Sequence, residues 1–442
     1  MDDSLLPRLS EGDDGEEINP DGASAFATGV NMLNELEGAG LLGLPYALRL
    51  CGWGSLACLG AVGAMAGFTG YLLAMCMYDP APSGGGGGGG AARRKRARDS
   101  YAAVGGACFG ARGERGVRLV QMANLVSVGV VYLVLVGSSM QILAPLGIGH
   151  GALADRRAWS ALATLAVLPT VHLGGYKKLA AMSALGLLCL GCIIVLGLVT
   201  SAQQLGKPAA AGGHGAAPMP ALQLSHLPAA FSIFVFAFSA HGIFPDLEAS
   251  MARPRLFPRV VGAVFAVNVA LKAAFTVVCF LAYGAATAEV VAANYPHTAR
   301  TVVSVLIVAN TALSFPLPLV PVFRMLGCAI DAAPPPPSGS KPGAGAAAAG
   351  AWARAAQRTL VVLFCGAVSV AVPNFTLAMG FMGSLTLSFL TFIFPATFYL
   401  KLHGAGASLP MKAACSTVVL AGVLGGIAGI ASNIALATGG SS

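Results

Sequence analysis

The sequence predicts an all-α integral membrane protein with about eleven transmembrane helices. Three observations support this prediction: the composition, a series of long apolar segments, and an uneven distribution of basic residues between the loops. Of the 442 residues, 56% are hydrophobic and only 10% are charged, whereas a soluble domain carries about 25% charged residues. Most of the surface must therefore face lipid, which makes membrane lipid an expected partner.

Acidic residues are concentrated at the N-terminus. Eight of the 18 aspartates and glutamates lie within the first 21 residues, and no apolar leader precedes the first long apolar segment. We therefore expect a disordered acidic cytoplasmic tail over 1–25 and a transmembrane domain over 26–437. The formal net charge of +8 is explained by basic cytoplasmic loops, so no nucleic-acid partner is expected.

The transmembrane segments follow from length and apolarity. A helix that crosses the hydrocarbon core needs about 20 mostly apolar residues. Eleven segments approach this requirement: 26–49, 54–77, 118–143, 158–173, 178–202, 227–250, 259–284, 299–325, 358–373, 376–400 and 412–437. The fourth and the ninth are the shortest, so an error in the count would fall there first.

The basic residues predict the orientation. With the N-terminus in the cytosol, twenty of the 26 lysines and arginines fall on the cytoplasmic side and five on the other side, as the positive-inside rule requires. Two long loops are predicted to be flexible and cytoplasmic. The loop 79–99 contains a run of seven glycines and the loop 331–355 contains four consecutive prolines.

Two of the predicted spans contain residues that interrupt helices. The first span has three glycines and a proline between Gly38 and Pro45, and the sixth has small residues before Pro245. Glycine costs about 1 kcal/mol and proline about 3 kcal/mol inside a helix. Spans one and six correspond if the core consists of two inverted five-helix repeats, and broken helices at corresponding positions mark transporter binding sites. The alternative is that glycine and proline are simply common in membrane helices.

The predicted breaks would suit a small solute with two opposite charges. Helix N-termini carry partial positive charge that attracts a carboxylate, and carbonyl groups freed at a break can accept hydrogen bonds from an ammonium group. A small neutral amino acid fits this description. The candidate substrate-binding residues are Asn34, Gly38, Ala39, Gly40, Leu41, Ser239, Ala240, His241 and Gly242. Two roles are possible for His241: it contacts the substrate, or it forms a hydrogen bond with a neighbouring helix.

The same two segments resemble a known family. The first stretch reads Asn34-x-x-x-Gly38-Ala39-Gly40-x-x-Gly43-Leu44-Pro45-Tyr46-Ala47, followed by Gly52-Trp53-Gly54. The second reads His241-Gly242-x-Phe244-Pro245-Asp246-x-x-x-Ser250-Met251-x-x-Pro254-x-x-Phe257-Pro258. Together they resemble the amino acid/auxin permease family, in its vacuolar and vesicular amino acid transporter branch, over roughly 26–437.

The resemblance implies a fold, a function and a location. It implies a LeuT-like fold with a 5+5 inverted repeat, broken helices one and six, and an additional eleventh helix. It also implies proton-coupled amino acid transport across a vacuolar or vesicular membrane, by a protein that we expect to be monomeric. Glu37 departs from the family pattern, which has an uncharged residue there, so a coupling mechanism is not transferred from the family.

Glu37 and Lys272 are the candidate proton-coupling pair. Charges near the centre of the bilayer are costly and normally mark function, and both residues are predicted near mid-depth. A partly desolvated pair can exchange a proton when its hydration changes. The alternative is a static ion pair that braces the first and seventh helices.

Other functions have weaker support. The sequence contains no phosphate-binding loop, metal-ligand cluster or nucleophile–base pair, so we expect no catalytic residues, metal or cofactor, and no enzymatic activity. Two alternatives to amino acid transport remain. One is a transporter of the same fold for another solute, such as auxin or a polyamine, and the other is a channel or a transporter-like amino acid sensor.

Overall fold

The computed structural model describes residues 10–11, 17–19, 22–79, 96–143, 155–172, 176–205, 221–331 and 344–438. Most of the predicted tail, the glycine run and the proline run lie outside the described residues. In the described part of the tail, Ser10–Glu11 and Glu17–Ile18 form a two-residue antiparallel pair with Ser10 opposite Ile18. The remaining regular structure in these ranges is helical.

Fifteen α-helices account for most of the described residues. They are α1 (Ala25–Leu36), α2 (Leu44–Cys51), α3 (Ser55–Cys76), α4 (Tyr101–Leu143), α5 (Arg156–Val167), α6 (Tyr176–Leu205), α7 (Leu227–Ala237), α8 (Phe244–Ala249), α9 (Phe257–Tyr283), α10 (His297–Ser314), α11 (Pro316–Asp331), α12 (Ala344–Ala371), α13 (Phe375–Met382), α14 (Phe394–His403) and α15 (Leu409–Ala437). A π-helical segment, Gly383–Ile393, joins α13 to α14. Every predicted span overlaps one of these helices or a consecutive group of them, although α4 begins well before the predicted start of the third span at 118.

Nine stretches of helix in the described ranges are long and apolar enough to cross a membrane. The two predicted spans that are absent from this set are the first and the fourth. The first is divided into α1 and α2, and the fourth consists of the twelve-residue α5 followed by a 3₁₀ turn over Leu168–His172. A total of eleven crossings therefore stays a prediction.

The ninth span is longer than predicted. Helix α12 begins at Ala344 and has 28 residues, so the second half of the loop predicted over 331–355 is helical. Residues 344–356 are mostly alanine, which has the highest helix propensity, but the adjacent glycines and Arg354 lower the apolarity of this stretch. The prediction from apolarity therefore starts this helix too late, at 358 instead of Ala344.

Two helices change geometry along their length. Helix α4 bends at Phe109 and Gly110, where Gly110 has a φ of 65°, a conformation that favours glycine. The π-helical segment lies in the predicted tenth span, and Tyr101 donates a hydrogen bond of 2.6 Å to its Leu390 carbonyl. This bond satisfies a buried backbone acceptor in the segment.

The helices form one bundle with two distinguishable ends. At one end, here called the N-terminal side, Ala23 accepts a backbone hydrogen bond from Ala252 and donates one to Ser250, and Arg96 lies against Pro245 and Glu248. At the other end, here called the opposite side, Cys51 accepts a hydrogen bond from the backbone N–H of Gln223. Helix α9 packs against α1, α2 and α3 in the middle of the bundle, which brings Lys272 close to the end of α1.

Candidate functional site

The first break interrupts the first span between α1 and α2. Helix α1 ends at Leu36, a single 3₁₀ turn covers Ala39–Gly43, and α2 begins at Leu44 with Pro45 in its first turn. Proline suits this position because it lacks the N–H that would otherwise be unpaired there. The break therefore leaves the last carbonyls of α1 and the first N–H groups of α2 without helical partners.

The sixth span has a second break with the same plan. Helix α7 ends at Ala237, Ser239 and Ala240 are irregular, and a 3₁₀ turn covers His241–Ile243. Helix α8 then begins at Phe244 and again carries a proline, Pro245, in its first turn. The sequence prediction that both spans are broken near these residues agrees with the observed helix ends.

Both breaks face one cavity of about 300 Å³. Seven of the nine residues predicted to bind substrate line it: Asn34, Gly38, Gly40, Ser239, Ala240, His241 and Gly242. Of the other two, Leu41 is fully buried among core residues and does not line the cavity, and Ala39 lies in the 3₁₀ turn of the first break. The structure thus brings most of the candidate site together, and substrate binding by these residues stays a prediction.

Other helices contribute wall residues that the sequence analysis did not single out. They include Gln121, Asn124 and Tyr132 on α4, Asn310 and Ser314 on α10, and Met382, Leu387 and Leu390 on α13 and the π-helical segment. Five of these eight are polar residues inside otherwise apolar helices. This polarity was a usable signal, but only the packing shows that all five face the same space.

The glycines at the breaks have different surroundings. A Cβ atom on Gly40 would lie 3.0 Å from Cα of Ala237 and 3.1 Å from Cδ1 of Phe236, so Gly40 allows the first break to pack closely against α7. At Gly242 the nearest atom would be Nε2 of Gln121, at 4.0 Å, and at Gly38 the nearest would be 3.8 Å away. Gly38 and Gly242 therefore leave open space beside the cavity.

Glu37 and Lys272 form the ion pair that the sequence predicted as a possibility. The Lys272 Nζ lies 3.6 Å from Oε1 of Glu37, and it donates hydrogen bonds of 2.6 Å to the Leu36 carbonyl and 2.9 Å to Oδ1 of Asn268. Lys272 is fully buried and Glu37 is 3% exposed. Neither side chain lines the cavity, so the pair lies behind the first break.

His241 lines the cavity from the second break. Its Nε2 lies 3.1 Å from the Ala66 carbonyl and 3.0 Å from Oγ1 of Thr69. Since the carbonyl can only accept, we assign the ring proton to Nε2, which leaves Nδ1 as an acceptor. The ring is completely buried and stacks on Phe244 with centroids 4.8 Å apart, and Nδ1 has no hydrogen-bond partner.

The cavity extends from the breaks towards the N-terminal side. Its lining includes the last turns of α1, Asp246 of α8, and Pro321 and Met325 of α11, but no described residue of α2. On the opposite side the bundle is closed, because Nη1 of Arg49 donates a 2.8 Å hydrogen bond to the Thr287 carbonyl and Trp53 packs edge-on against Phe280. The structure thus has one open and one closed approach to the breaks.

Charged groups differ between the two approaches. On the opposite side, burial of Glu289 raises the pKa of its carboxyl, and the nearby Arg156 and Arg49 partly offset this effect. On the N-terminal side, Nε of Arg96 lies 3.0 Å from Oε2 of the buried Glu248, which also accepts a hydrogen bond from the Tyr78 hydroxyl. Among the described residues, no three His, Cys, Asp or Glu side chains gather where a metal ion could bind.

Comparisons with known proteins agree with this geometry. A family model described as "transmembrane amino acid transporter protein" matches residues 21–435. The vesicular inhibitory amino acid transporter of Homo sapiens is 29% identical over 388 residues, which cover 86% of this chain and 69% of the human protein. The amino acid transporter AVT1C of Arabidopsis thaliana is 28% identical over 409 residues, 90% of this chain and 67% of the plant protein.

Two solved structures share the arrangement of helices. MhsT in complex with L-phenylalanine has a TM-score of 0.54 at 13% identity, and the match covers 93% of this chain and 99% of MhsT. The inward-facing conformation of Mhp1 has a TM-score of 0.55 at 12% identity, covering 99% of this chain and 94% of Mhp1. At these identities the likeness concerns the fold alone, and it confirms the LeuT-like fold class.

Proposed function

Because the chain belongs to the transmembrane amino acid transporter family, we propose that it is a proton-coupled secondary transporter that moves amino acids by alternating access. The observation that carries the proposal is that two helix breaks with the same plan face one cavity. The break ends supply N–H groups for a carboxylate and carbonyls for an ammonium group. Any zwitterionic amino acid satisfies both, including the small neutral one predicted from the sequence.

Alternating access is supported by the asymmetry of the two approaches. The cavity extends towards the N-terminal side, whereas Arg49 and Thr287 hold the opposite side closed. With the N-terminus in the cytosol, this is an inward-facing arrangement. The transport cycle would then require the contact between Arg49 and Thr287 to open as the N-terminal side closes.

A flux measurement tests the proposed function. The purified chain is reconstituted in proteoliposomes, and uptake of radiolabelled amino acids is followed with and without an imposed pH gradient. We expect saturable uptake that the gradient accelerates and that a protonophore returns to the rate without a gradient. Empty liposomes are the control, and absence of uptake for every amino acid would contradict the proposal.

Glu37 and Lys272 are the proposed coupling pair. The second carboxylate oxygen of Glu37, Oε2, is buried without a hydrogen-bond partner, so it offers a position for a proton. The static alternative is supported by the three contacts of Lys272, which caps α1 and pairs with Glu37 at the same time. Glu37→Gln should leave amino acid exchange intact but abolish its response to a pH gradient. If the variant loses both exchange and its response to the gradient, or retains both, the proton-binding site is not Glu37.

The proposed location is a vacuolar or vesicular membrane with a cytosolic N-terminus. The names of the human and plant relatives and the distribution of basic residues support this assignment. Epitope tags before Met1 and after Ser442, combined with protease protection of sealed membranes, test the orientation. The proposal requires the first tag to be digested and the second to be protected in cytoplasmic-side-out vesicles.

Amino acid sensing is a second candidate function, because the tail contacts the end of the sixth span. Asn19 donates a backbone hydrogen bond to Ala252, and Ala23 donates one to Ser250, just after α8. A partner protein bound to the tail would therefore be connected, through these hydrogen bonds and α8, to the second break. Deletion of 1–18 should leave flux unchanged in a pure transporter, whereas a sensor should lose a cellular response to amino acids while its flux persists.

A further inference from the structure

The charges that line the cavity are not balanced. Two acidic residues, Glu35 and Asp246, line the cavity, and none of the lining residues in the described part of the chain is a lysine or an arginine. Lys272 does not compensate for them, because it is fully buried behind the first break and paired with Glu37. The described lining of the cavity thus has two acidic groups and no strongly basic group.

Glu35 is the acid without compensation. It lies in the last turn of α1, its side chain is exposed, and it lines the cavity close to Tyr132. It makes no ion pair or hydrogen bond with any residue that the structure describes. Asp246 differs, since Arg96 and Arg324 both act on its carboxylate electrostatically. A carboxylate in a membrane-embedded cavity is costly unless a cation neutralises it.

His241, which also lines the cavity, has a group that favours a hydrogen-bond donor. Nδ1 of His241 is an acceptor that is completely buried and lacks a hydrogen-bond partner, and this side chain lines the cavity independently of the acids. A buried acceptor without a donor is unfavourable, and an ammonium or guanidinium N–H would satisfy it. The rings of Tyr132 and Phe236 in the same wall can also stabilise a cation.

A neutral amino acid would not remove this imbalance. Its carboxylate suits the N–H groups at a helix start and its ammonium suits the carbonyls at a helix end, so its two charges are matched by the breaks themselves. Glu35 would then remain uncompensated. We propose that the cavity prefers amino acids with a second positive group, an ammonium or guanidinium, and that Glu35 is the residue that binds this group.

This proposal rests on the proposed amino acid transport, and the experiment separates the two. Arginine and citrulline are compared by counterflow in proteoliposomes with the same pH on both sides, because they have nearly the same shape and only arginine has the second charge. In the unaltered protein we expect arginine to exchange at least about tenfold faster at low concentration, the scale of one charge-assisted hydrogen bond. Putrescine, which has amines but no carboxylate, should exchange poorly.

The variant Glu35→Gln keeps the size of the side chain and removes its charge. We expect it to lower the ratio of arginine to citrulline exchange by about tenfold, mainly through loss of arginine exchange, and Asp246→Asn to have a smaller effect because Arg96 and Arg324 already act on that acid. Glu114→Gln is the matched control. Glu114 pairs with Arg118 at 2.6 Å outside the cavity, and its variant should leave the ratio unchanged.

The remaining outcomes identify what fails. Equal exchange of arginine and citrulline by the unaltered protein overturns the proposal, and leaves amino acid transport standing, even if Glu35→Gln does not fold. An unchanged ratio in a folded Glu35→Gln protein overturns the assignment of Glu35. Exchange of putrescine in preference to both amino acids overturns the substrate class. Absence of exchange for every amino acid overturns this proposal together with the proposed function.

Discussion

The two helix breaks share a backbone plan but are held by different chemistry. At the first break, a buried ion pair and an amide surround the end of α1, through Lys272, Glu37 and Asn268. At the second, His241 makes its hydrogen bonds with neutral groups, the Ala66 carbonyl and the Thr69 hydroxyl on α3. The charged network lies behind its break, and the neutral group lines the cavity. The first break is therefore anchored by buried charges, whereas the second break is available to a ligand.

The anchoring of the first break follows from helix termination. The Leu36 carbonyl belongs to the last turn of α1 and has no helical partner. Lys272 supplies both a hydrogen bond, at 2.6 Å, and a positive charge at the negative end of the helix dipole. In a low-dielectric environment this leaves Lys272 with three polar contacts that it cannot exchange for water.

The largest expected effect is that of Lys272→Met. This change leaves Glu37 buried without its charge partner and the Leu36 carbonyl without a donor, so we expect a loss of about 3–5 kcal/mol of stability. Thermal unfolding in detergent, followed by size-exclusion chromatography, measures it. The double variant Glu37→Gln with Lys272→Met removes both charges and should recover much of the loss. A single variant as stable as the unaltered protein would show that the pair does not anchor the break.

Substitution of one glycine in each break sharpens the comparison. In Gly40→Val the new side chain meets Phe236 and the Ala237 backbone, and such overpacking typically costs about 1–3 kcal/mol. In Gly242→Val the side chain enters open space beside the cavity, so stability should be retained while uptake is lost. Thermal unfolding and flux are measured for both. Equal destabilisation by the two variants would show that the first break is not packed more tightly than the second.

A smaller effect is expected for the neutral contacts of the second break. His241→Ala removes the bond from Nε2 to the Ala66 carbonyl, but Thr69 still donates to that carbonyl at 3.0 Å. We therefore expect about 1–2 kcal/mol, the lower part of the range for a buried group that loses a partner. His241→Gln retains a donor and should be closer to the unaltered protein. Destabilisation as large as that of Lys272→Met would mean that His241 anchors its break too.

The smallest expected effect is that of Ser239→Ala. The Ser239 hydroxyl lies 2.6 Å from the Thr391 hydroxyl of the π-helical segment, and a neutral hydrogen bond of this kind contributes about 0.5–1.5 kcal/mol. We expect the lower end because Ser239 is only partly buried. Thr391→Ala serves as the partner variant, and the double variant should be no less stable than the worse single one. An additive double variant would indicate that the two hydroxyls do not act on each other.

The sequence by itself determined the membrane class and the positions of the breaks. Apolar length selects segments that can lie in lipid, because there each backbone group must bond within its own helix. Glycine and proline at 38–45 and at 242–245 disfavour a continuous helix through local energetics alone. These are one-dimensional properties, so each predicted span overlaps an observed helix or a consecutive group of helices. The starts of α4 and α12 were placed too late.

Only the tertiary structure decided which side chains meet. Glu35 and Glu37 are two residues apart on one helix end, yet Glu35 lines the cavity and Glu37 lies behind the break against Lys272. The sequence around these two residues does not show which of them faces the cavity. That depends on the packing of the helix end between α4 on one side and α9 on the other. The same reason explains why Leu41 was assigned to the substrate site although it packs in the core. Sequence patterns report the backbone state of a segment, whereas the contents of a cavity depend on residues that lie more than a hundred positions apart.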